Sequence, residues 1–128
     1  MVVAVNLEAP RIIKRYTVVN GVAIPKGTLL KLSGANIAAA ATASDIFAGI
    51  AVEEKTASDG ITEIGAAIDG VWDIAVAGGN AAGTILKLSG ANLFGACVAA
   101  DLLTGKACGK SLELNTDAQV TRVRLGLV

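Results

Sequence analysis

The sequence predicts an all-β fold of roughly nine to eleven short strands. Turn-forming pairs such as Asn20-Gly21 and Asp69-Gly70 separate short apolar runs. Trp72, Ile74 and Val76 alternate with smaller or charged residues, with the period of two that is typical of a half-buried strand. No segment sustains a helical period, so no long amphipathic helix is expected.

An internal repeat organises the chain. Residues 27–36 recur as residues 83–92, 56 positions later, with one conservative difference. Over residues 27–51 and 83–107, 14 of 25 positions are identical without a gap. This alignment pairs Gly49 with Gly105 and places Tyr16 opposite Trp72. The duplication predicts one β domain over residues 16–128, with repeat halves at roughly 16–60 and 72–115, after an N-terminal arm of residues 1–15.

The elements of the first half follow the turn signals in order. Asn20-Gly21 predicts a hairpin that joins strands at residues 16–19 and 22–24. Residues 28–32 form a β-prone run that ends in the turn formers Ser-Gly-Ala-Asn. Residues 38–43 are Ala-rich, but their copy contains Gly95, which disfavours a helix, so both segments are expected to be extended or irregular. Residues 53–55 and 59–60 predict an exposed loop.

The second half repeats this order. Asp45 and its copy Asp101 each precede two large apolar residues and then a glycine, a pattern that predicts a single helical turn or tight bend capped by the aspartate. Asp69-Gly70 separates a strand at 61–68 from one at 71–76, and residues 84–88 repeat the run at 28–32. Gly and Asn at 78–80 predict a turn, and the alternation of residues 120–128 predicts the last strand.

Composition narrows the class of protein. The chain has 128 residues and a mass of 12.8 kDa, with 53% hydrophobic and 17% charged residues, which is typical of a folded domain. Eleven basic and eleven acidic side chains give zero net charge, so the basic stripe of a nucleic-acid binder is not expected. This neutrality, with a mean hydropathy of +0.62, indicates a chain that covers its surface with a partner.

Several absences exclude further classes. The sequence contains no histidine, which removes Ser-His-Asp and Cys-His nucleophile systems and His-ligated zinc. Its longest uncharged runs are too short for a spanning helix, which needs ~20 apolar residues. No basic segment followed by an apolar run opens the sequence. We therefore expect a protein made in the cytoplasm, with no signal peptide and no membrane partner.

Three patterns that carry chemistry in other proteins have simpler explanations here. Gly105–Ser111 resembles a phosphate-binding loop, but its first glycine is one residue too close and a strand-like alternation follows. Gly78–Gly83 does not fit the dinucleotide pattern G-x-G-x-x-G and predicts a turn. Asp45 and Asp101 are interpreted as turn caps, with an acid/base or calcium pair as the alternative.

The two cysteines are interpreted as small buried hydrophobes. Cys97 and Cys108 lie eleven residues apart, which does not fit a CxxC motif. In the gapless alignment they match Ala41 and Val52, so both positions accept a plain apolar residue. A disulfide between them and a catalytic thiol are the alternatives.

The candidate contact residues lie at the N-terminus and at the two matched aromatic positions. Residues 1–15 are interpreted either as an ordinary first strand or as an arm that adds a strand to a neighbouring chain. The matched aromatic residues are interpreted as core anchors, with an interface role as the alternative. The candidate capsid or inter-subunit contacts are Val2, Val3, Val5, Leu7, Arg11, Lys14, Arg15, Tyr16 and Trp72.

The pattern of the chain resembles the head decoration, or cement, proteins of tailed bacteriophages and related viruses. The resemblance rests on the glycine-initiated run at 27–32, the Ala-rich stretch that leads into residues 45–51, Gly70-Val71-Trp72, and the second Gly-Thr-Ile-Leu segment at 83–86. It covers roughly residues 16–105. It implies a compact β-barrel or β-tulip-like domain, assembled as a homotrimer at three-fold and quasi-three-fold sites on the capsid exterior. In several members of the family an N-terminal arm contacts the capsid, and residues 1–15 match it by position.

The residues and the resemblance lead to the same expectation. We expect a structural virion protein that binds the major capsid protein and itself, with no cofactor, no metal and no catalytic residues. A tail, baseplate or fibre-associated β module is the alternative. A histidine-free hydrolase and a ligand-binding barrel mouth are further hypotheses that the residues support less well.

Overall fold

The computed structural model describes residues 3–42, 45–114, 116 and 119–126. It confirms the all-β prediction, since the described residues form eleven strands and one short helix. The strands are β1 (Val5–Glu8), β2 (Ile13–Thr17), β3 (Leu29–Gly34), β4 (Ile37–Ala40), β5 (Phe47–Ala51), β6 (Glu63–Ala67), β7 (Gly70–Val76), β8 (Ile85–Gly90), β9 (Leu93–Ala96), β10 (Gly109–Ser111) and β11 (Gln119–Leu125), with helix α1 (Ala99–Leu103) between β9 and β10.

The strands close into two five-stranded barrels of the same topology. In the first barrel the order around the ring is β2-β4-β3-β5-β6. In the second, the order β7-β9-β8-β10-β11 is closed by the β7–β9 pairing. Each barrel contains one parallel pair, β2–β4 or β7–β9, and its other pairings are antiparallel. Closure leaves no free sheet edge within a ring, so the repeat is a duplication of a complete barrel.

The gapless alignment of the two copies holds only for the central hairpins. β3–β4 and β8–β9 keep the offset of 56, because Leu30 pairs with Ala40 as Leu86 pairs with Ala96. Beyond them, Leu30 lies opposite Gly49, whereas Leu86 lies opposite Gly109. The predicted match of Gly49 with Gly105 is therefore wrong.

The extra residues of the second copy form helix α1. The helix confirms the helical turn predicted at Asp101. At Asp45 no helix forms in the described residues, and β5 begins two positions later. The insertion also moves Cys108 into the place of Ala48, one residue before the matched glycine, so its predicted match with Val52 is wrong.

The two aromatic anchors are not equivalent either. Thr17 pairs with Ile37 in the first barrel, and Ala75 pairs with Leu93, the counterpart of Ile37, in the second. Tyr16 therefore corresponds to Ile74, and Trp72 lies two residues earlier on the same side of its strand.

Two hydrophobic clusters divide the interior. The first lies inside the first barrel and includes Leu30, Ala51 and Ala66. Their chain neighbours Leu29, Ile50 and Ala67 point the other way and join the cluster of the second barrel. Because side chains alternate along a strand, the outer face of the first barrel supplies part of the core of the second.

The loop that was predicted to be exposed contains a fully buried lysine. The Lys55 ammonium donates hydrogen bonds to the carbonyl oxygens of Asn20 (2.5 Å), Val22 (3.0 Å) and Thr56 (3.1 Å), and lies 3.4 Å from an Asp59 carboxylate oxygen. The ammonium thus donates to three backbone carbonyl oxygens, of which that of Asn20 also accepts from the Ser58 backbone N–H (2.8 Å). The prediction of an exposed lysine is wrong because the ammonium closes this loop against residues 20–24.

The predicted hairpin at Asn20-Gly21 is also wrong. A turn forms there, but β2 ends at Thr17, and Ile24 forms an isolated bridge with Lys55. The strands on either side of the turn therefore do not pair with each other. Instead, the Asn20 side chain accepts a hydrogen bond from the Gly60 backbone N–H (2.7 Å), which ties the turn to the 56–62 loop.

We predict that Gly109→Ala destabilises the fold strongly. A Cβ at this position would lie 2.4 Å from the Arg124 carbonyl oxygen, so β10 and β11 would have to separate. We expect a loss of about 1–3 kcal/mol in the free energy of unfolding, measured by urea titration. Gly21→Ala is the control, because nothing lies within 4 Å of a Cβ there. Equal effects of the two substitutions would contradict this explanation.

Replacement of the buried lysine tests the loop. Lys55→Met leaves the carbonyl oxygens of Asn20, Val22 and Thr56 without the ammonium donor, and we expect a loss of roughly 1–3 kcal/mol in unfolding free energy. Lys26→Met, at an exposed lysine, serves as the control and should change stability little. Unchanged stability of Lys55→Met in urea unfolding would show that the loop does not depend on the ammonium.

Candidate interaction surface

Strand β1 lies on the outside of the second barrel. It pairs antiparallel with β7, with Val5 opposite Asp73 and Asn6 opposite Trp72. Just before it, the Ala4 backbone N–H donates to the carbonyl oxygen of Gly27 in the first barrel (2.9 Å). The segment therefore spans both barrels. Within the chain, residues 5–8 form a first strand, and β2 begins at Ile13, inside the range predicted for an arm.

All four side chains of β1 are exposed. A β-bulge between Asn6 and Glu8 interrupts the alternation of side chains, so Val5 and Glu8 lie on one side of the strand and Asn6 on the other. Among the described residues, only β7 pairs with β1, so its second edge is open. An open strand edge beside exposed apolar side chains can add a strand of another chain or bind an apolar surface.

The exposed apolar surface extends well beyond β1. Large apolar side chains are exposed on both barrels: Val5, Leu7, Ile12, Ile13, Val19, Val22, Leu32, Ile37, Ile46, Ile61, Val98, Leu102, Leu103, Leu112, Leu114 and Val120. Single exposed apolar residues are normal, but this density is more typical of protein contact surfaces. Only two of these residues, Val5 and Leu7, are among the predicted contacts. The adjacent pair Leu102-Leu103 could have indicated exposed apolar surface in the sequence, since a single helical turn cannot bury both side chains.

The three predicted basic contacts lie beside β1 and on β2. Arg11 and Lys14 are exposed, and the Lys14 ammonium lies 5.4 Å from the centre of the Tyr16 ring. The exposed Arg15 guanidinium forms ion pairs with Glu53 (2.9 Å) and Glu63 (2.6 Å). Exposed ion pairs add little stability, so this cluster is a charged surface with both signs.

The remaining predicted contacts differ in exposure. Val3 is half-buried, and Val2 lies outside the described residues. Tyr16 and Trp72 are buried, which confirms their interpretation as core anchors. The Tyr16 hydroxyl donates to the Ala48 carbonyl oxygen (2.8 Å), and the Trp72 indole N–H donates to the Asp69 carbonyl oxygen (3.0 Å). Both polar tips are therefore satisfied within the chain.

Of the two cysteines, Cys108 behaves as a small buried hydrophobe. Both thiols are free, with Cys108 buried and Cys97 half-buried. The Cys108 thiol donates to the Leu86 carbonyl oxygen (3.4 Å), and burial raises its pKa far above the usual value. Burial also raises the pKa of Cys97. Neither thiol has the lowered pKa of a catalytic nucleophile.

Asp101 caps helix α1. Its carboxylate accepts a hydrogen bond from the Val98 backbone N–H (2.9 Å) and pairs with the Lys87 ammonium (2.9 Å). The Val98 hydrogen bond, and then the Lys87 ammonium, hold the pKa of this carboxyl below its usual value. These contacts confirm the interpretation as a turn cap.

The remaining patterns lie in ordinary secondary structure. Gly109, Lys110 and Ser111 form β10, so the lysine that resembled a phosphate ligand lies in a barrel strand. Within the described residues, no group of three or more acidic or cysteine side chains is placed to hold a metal ion. A cleft of about 390 Å³ between the barrels is lined mainly by apolar residues, including Tyr16, Phe47 and Cys108.

Comparison with protein-family models and with curated proteins gave no match to this chain. In the part of the chain that the structure describes, the one helix falls far short of the length needed to cross a membrane.

The cap at Asp101 gives a pH-dependent contribution to stability. Because its pKa is lower in the folded chain, the carboxylate stabilises the fold above the usual aspartate value of 3.8, and this stabilisation is lost as the pH falls through the folded pKa. We expect Asp101→Asn to lower the melting temperature at pH 7 more than at pH 3, measured by circular dichroism. Glu8→Gln on the exposed β1 is the control. An equal loss at both pH values would contradict the cap.

Proposed function

We propose that this protein is a capsid decoration protein. In this proposal it binds the exterior of a viral capsid through the major capsid protein, as a homotrimer at three-fold and quasi-three-fold sites, and stabilises the shell. The observation that carries the proposal is the surface: sixteen large apolar side chains are exposed among the described residues of an all-β chain whose net charge is zero. The resemblance in sequence pattern points in the same direction.

The surface fits many shallow contacts better than one deep site. Its exposed apolar residues lie on β1, on the β3–β4 hairpin and around α1, so more than one side of the molecule can be covered. Burial of such side chains contributes roughly 1.5–3 kcal/mol each before the cost of association. Zero net charge removes long-range repulsion between neighbouring copies on a shell.

The fold suits a role as a rigid clamp. The two barrels share a hydrophobic cluster, and β1 is hydrogen-bonded to both of them. A surface held this way loses little conformational entropy on binding. A protein that binds the assembled lattice and not the free subunits stabilises the lattice by mass action, and repeated contacts over the shell add avidity. The proposal includes no catalytic step.

We predict that β1 contributes to capsid binding. The double substitution Val5→Glu and Leu7→Glu places two carboxylates where an apolar contact is expected. We expect capsid affinity to fall by roughly 100-fold, since each lost apolar burial is worth about tenfold. The measurement is co-sedimentation of the purified protein with stripped capsids over a range of concentrations.

The control for this experiment is Ala57→Glu, at an exposed residue of the 56–62 loop that is not part of the exposed apolar set. Both variants should melt at the temperature of the unmodified protein, because the substituted side chains are exposed. If the unmodified protein does not sediment with capsids, the proposed function is wrong. If it does and the double variant binds equally well, β1 is not the contact strand.

A further inference from the structure

The chain contains two copies of one hairpin, and only one copy is covered. The β8–β9 hairpin, residues 85–96, packs on the outer face of the first barrel. At its tip, the Asn92 side-chain oxygen accepts a hydrogen bond from the Leu29 backbone N–H (3.0 Å). Along its length, Leu88 is fully buried, and the Phe94 ring lies 5.5 Å from the Phe47 ring in an edge-to-face contact.

The β3–β4 hairpin, residues 29–40, has the same tip without such cover. Residues 31–36 are identical in sequence to residues 87–92, and the tip asparagines share a left-handed backbone, with φ of 57° and 52°. Yet Leu32 is 44% exposed where Leu88 is 0% exposed. Asn36 is exposed, and its side chain forms no hydrogen bond within the described part of the chain. The leucine and the asparagine that are covered in the β8–β9 hairpin are therefore exposed in the β3–β4 hairpin.

The outer face of the first barrel, on which the β8–β9 hairpin packs, has an equivalent on the second barrel. Leu29, at the centre of that face, corresponds to Ile85 in the second barrel. The hydrogen bond from the Ala41 N–H to the Leu29 carbonyl (3.0 Å) corresponds to the one from Cys97 to Ile85 (2.9 Å). The bond from Ala51 to Thr28 (2.9 Å) likewise corresponds to the one from Ser111 to Thr84 (2.9 Å). The backbone around Ile85 thus matches the backbone that holds the hairpin at Leu29.

This second face is open within the chain. Leu29 and Ile50 are fully buried under the covered hairpin, whereas their counterparts Ile85 and Lys110 are only half-buried. The first barrel thus has a free hairpin, and the second barrel has a free face of matching backbone geometry.

We propose that the β3–β4 hairpin of one copy docks on the β8–β10 face of a second copy. The contact repeats between chains the junction of Asn92 with Leu29, with the Asn36 side-chain oxygen accepting from the Ile85 N–H. Ala38 and Ala107 stand in this contact at the places of the two phenylalanine rings, so the aromatic contact is not repeated. It is head-to-tail, and such contacts close into rings where the rotation permits. Closure at three copies, which gives a ring of six barrels, rests on the proposed function, but the contact itself does not.

Two substitutions on opposite sides of the contact test its head-to-tail character. Leu32→Glu disables the hairpin, and Ile85→Glu disables the face. In sedimentation velocity we expect the unmodified protein to associate and each variant to associate at least tenfold more weakly. An equimolar mixture of the two variants should form a complex of two copies that grows no further, because one intact hairpin meets one intact face. Lys110→Glu is a second face variant that leaves the core unchanged.

A milder substitution and a control on another surface complete the experiment. Asn36→Ala should weaken association by roughly 2- to 10-fold, the value of one hydrogen bond. Lys26→Glu, at an exposed lysine outside both surfaces, should leave association unchanged. A protein that stays monomeric at all concentrations, or variants that lose association and do not complement each other, would overturn the contact.

The two proposals fail separately. A monomer that still decorates capsids overturns the contact alone. A protein that associates head-to-tail but ignores capsids overturns the proposed function and supports the contact.

Discussion

The fold depends on the packing of the second barrel against the outside of the first. Leu88 and Phe94, on the β8–β9 hairpin of the second barrel, are fully buried in a cluster that contains side chains of both barrels. Leu29, Ile50 and Ala67 cover them from the first barrel. On a free barrel these three would be exposed to water, and burying them contributes to stability in proportion to the apolar area removed. The same contact explains why identical hairpin sequences differ in exposure.

Each copy of the repeat has diverged around this contact. The first barrel keeps small and apolar residues on its outer face and carries the loop that Lys55 closes. The second barrel has Lys110 where the first has Ile50, and it gains α1 with its Asp101 cap. The outer face of the first barrel is thus suited to permanent burial, and the equivalent face of the second barrel to partial exposure. Duplicated units of this kind can place equivalent surfaces at both ends of a chain.

Local chemistry made much of the fold predictable. Turn formers and alternation predicted the first strand and the turn of each central hairpin, and also the last strand, because these features act over a few residues. The match of Gly109 with Gly49 could not be predicted, because the need for glycine at position 109 comes from the Arg124 carbonyl oxygen of another strand. Because the two hairpin sequences are identical around Leu32 and Leu88, the different exposure of these two side chains could not be predicted. The burial of Lys55 depends on carbonyl groups far along the chain and leaves no local signal. Of the candidate contacts, exposure could be inferred for β1 but not for the β3–β4 hairpin.

The proposed function covers the apolar surface of this double barrel on a capsid. Its most direct test is the number of copies bound per particle at saturation, measured by quantitative mass spectrometry of capsids after sedimentation. The account predicts a number in the hundreds, as a multiple of three for each lattice site. A handful of copies per particle would contradict decoration and place the protein at a tail or a vertex.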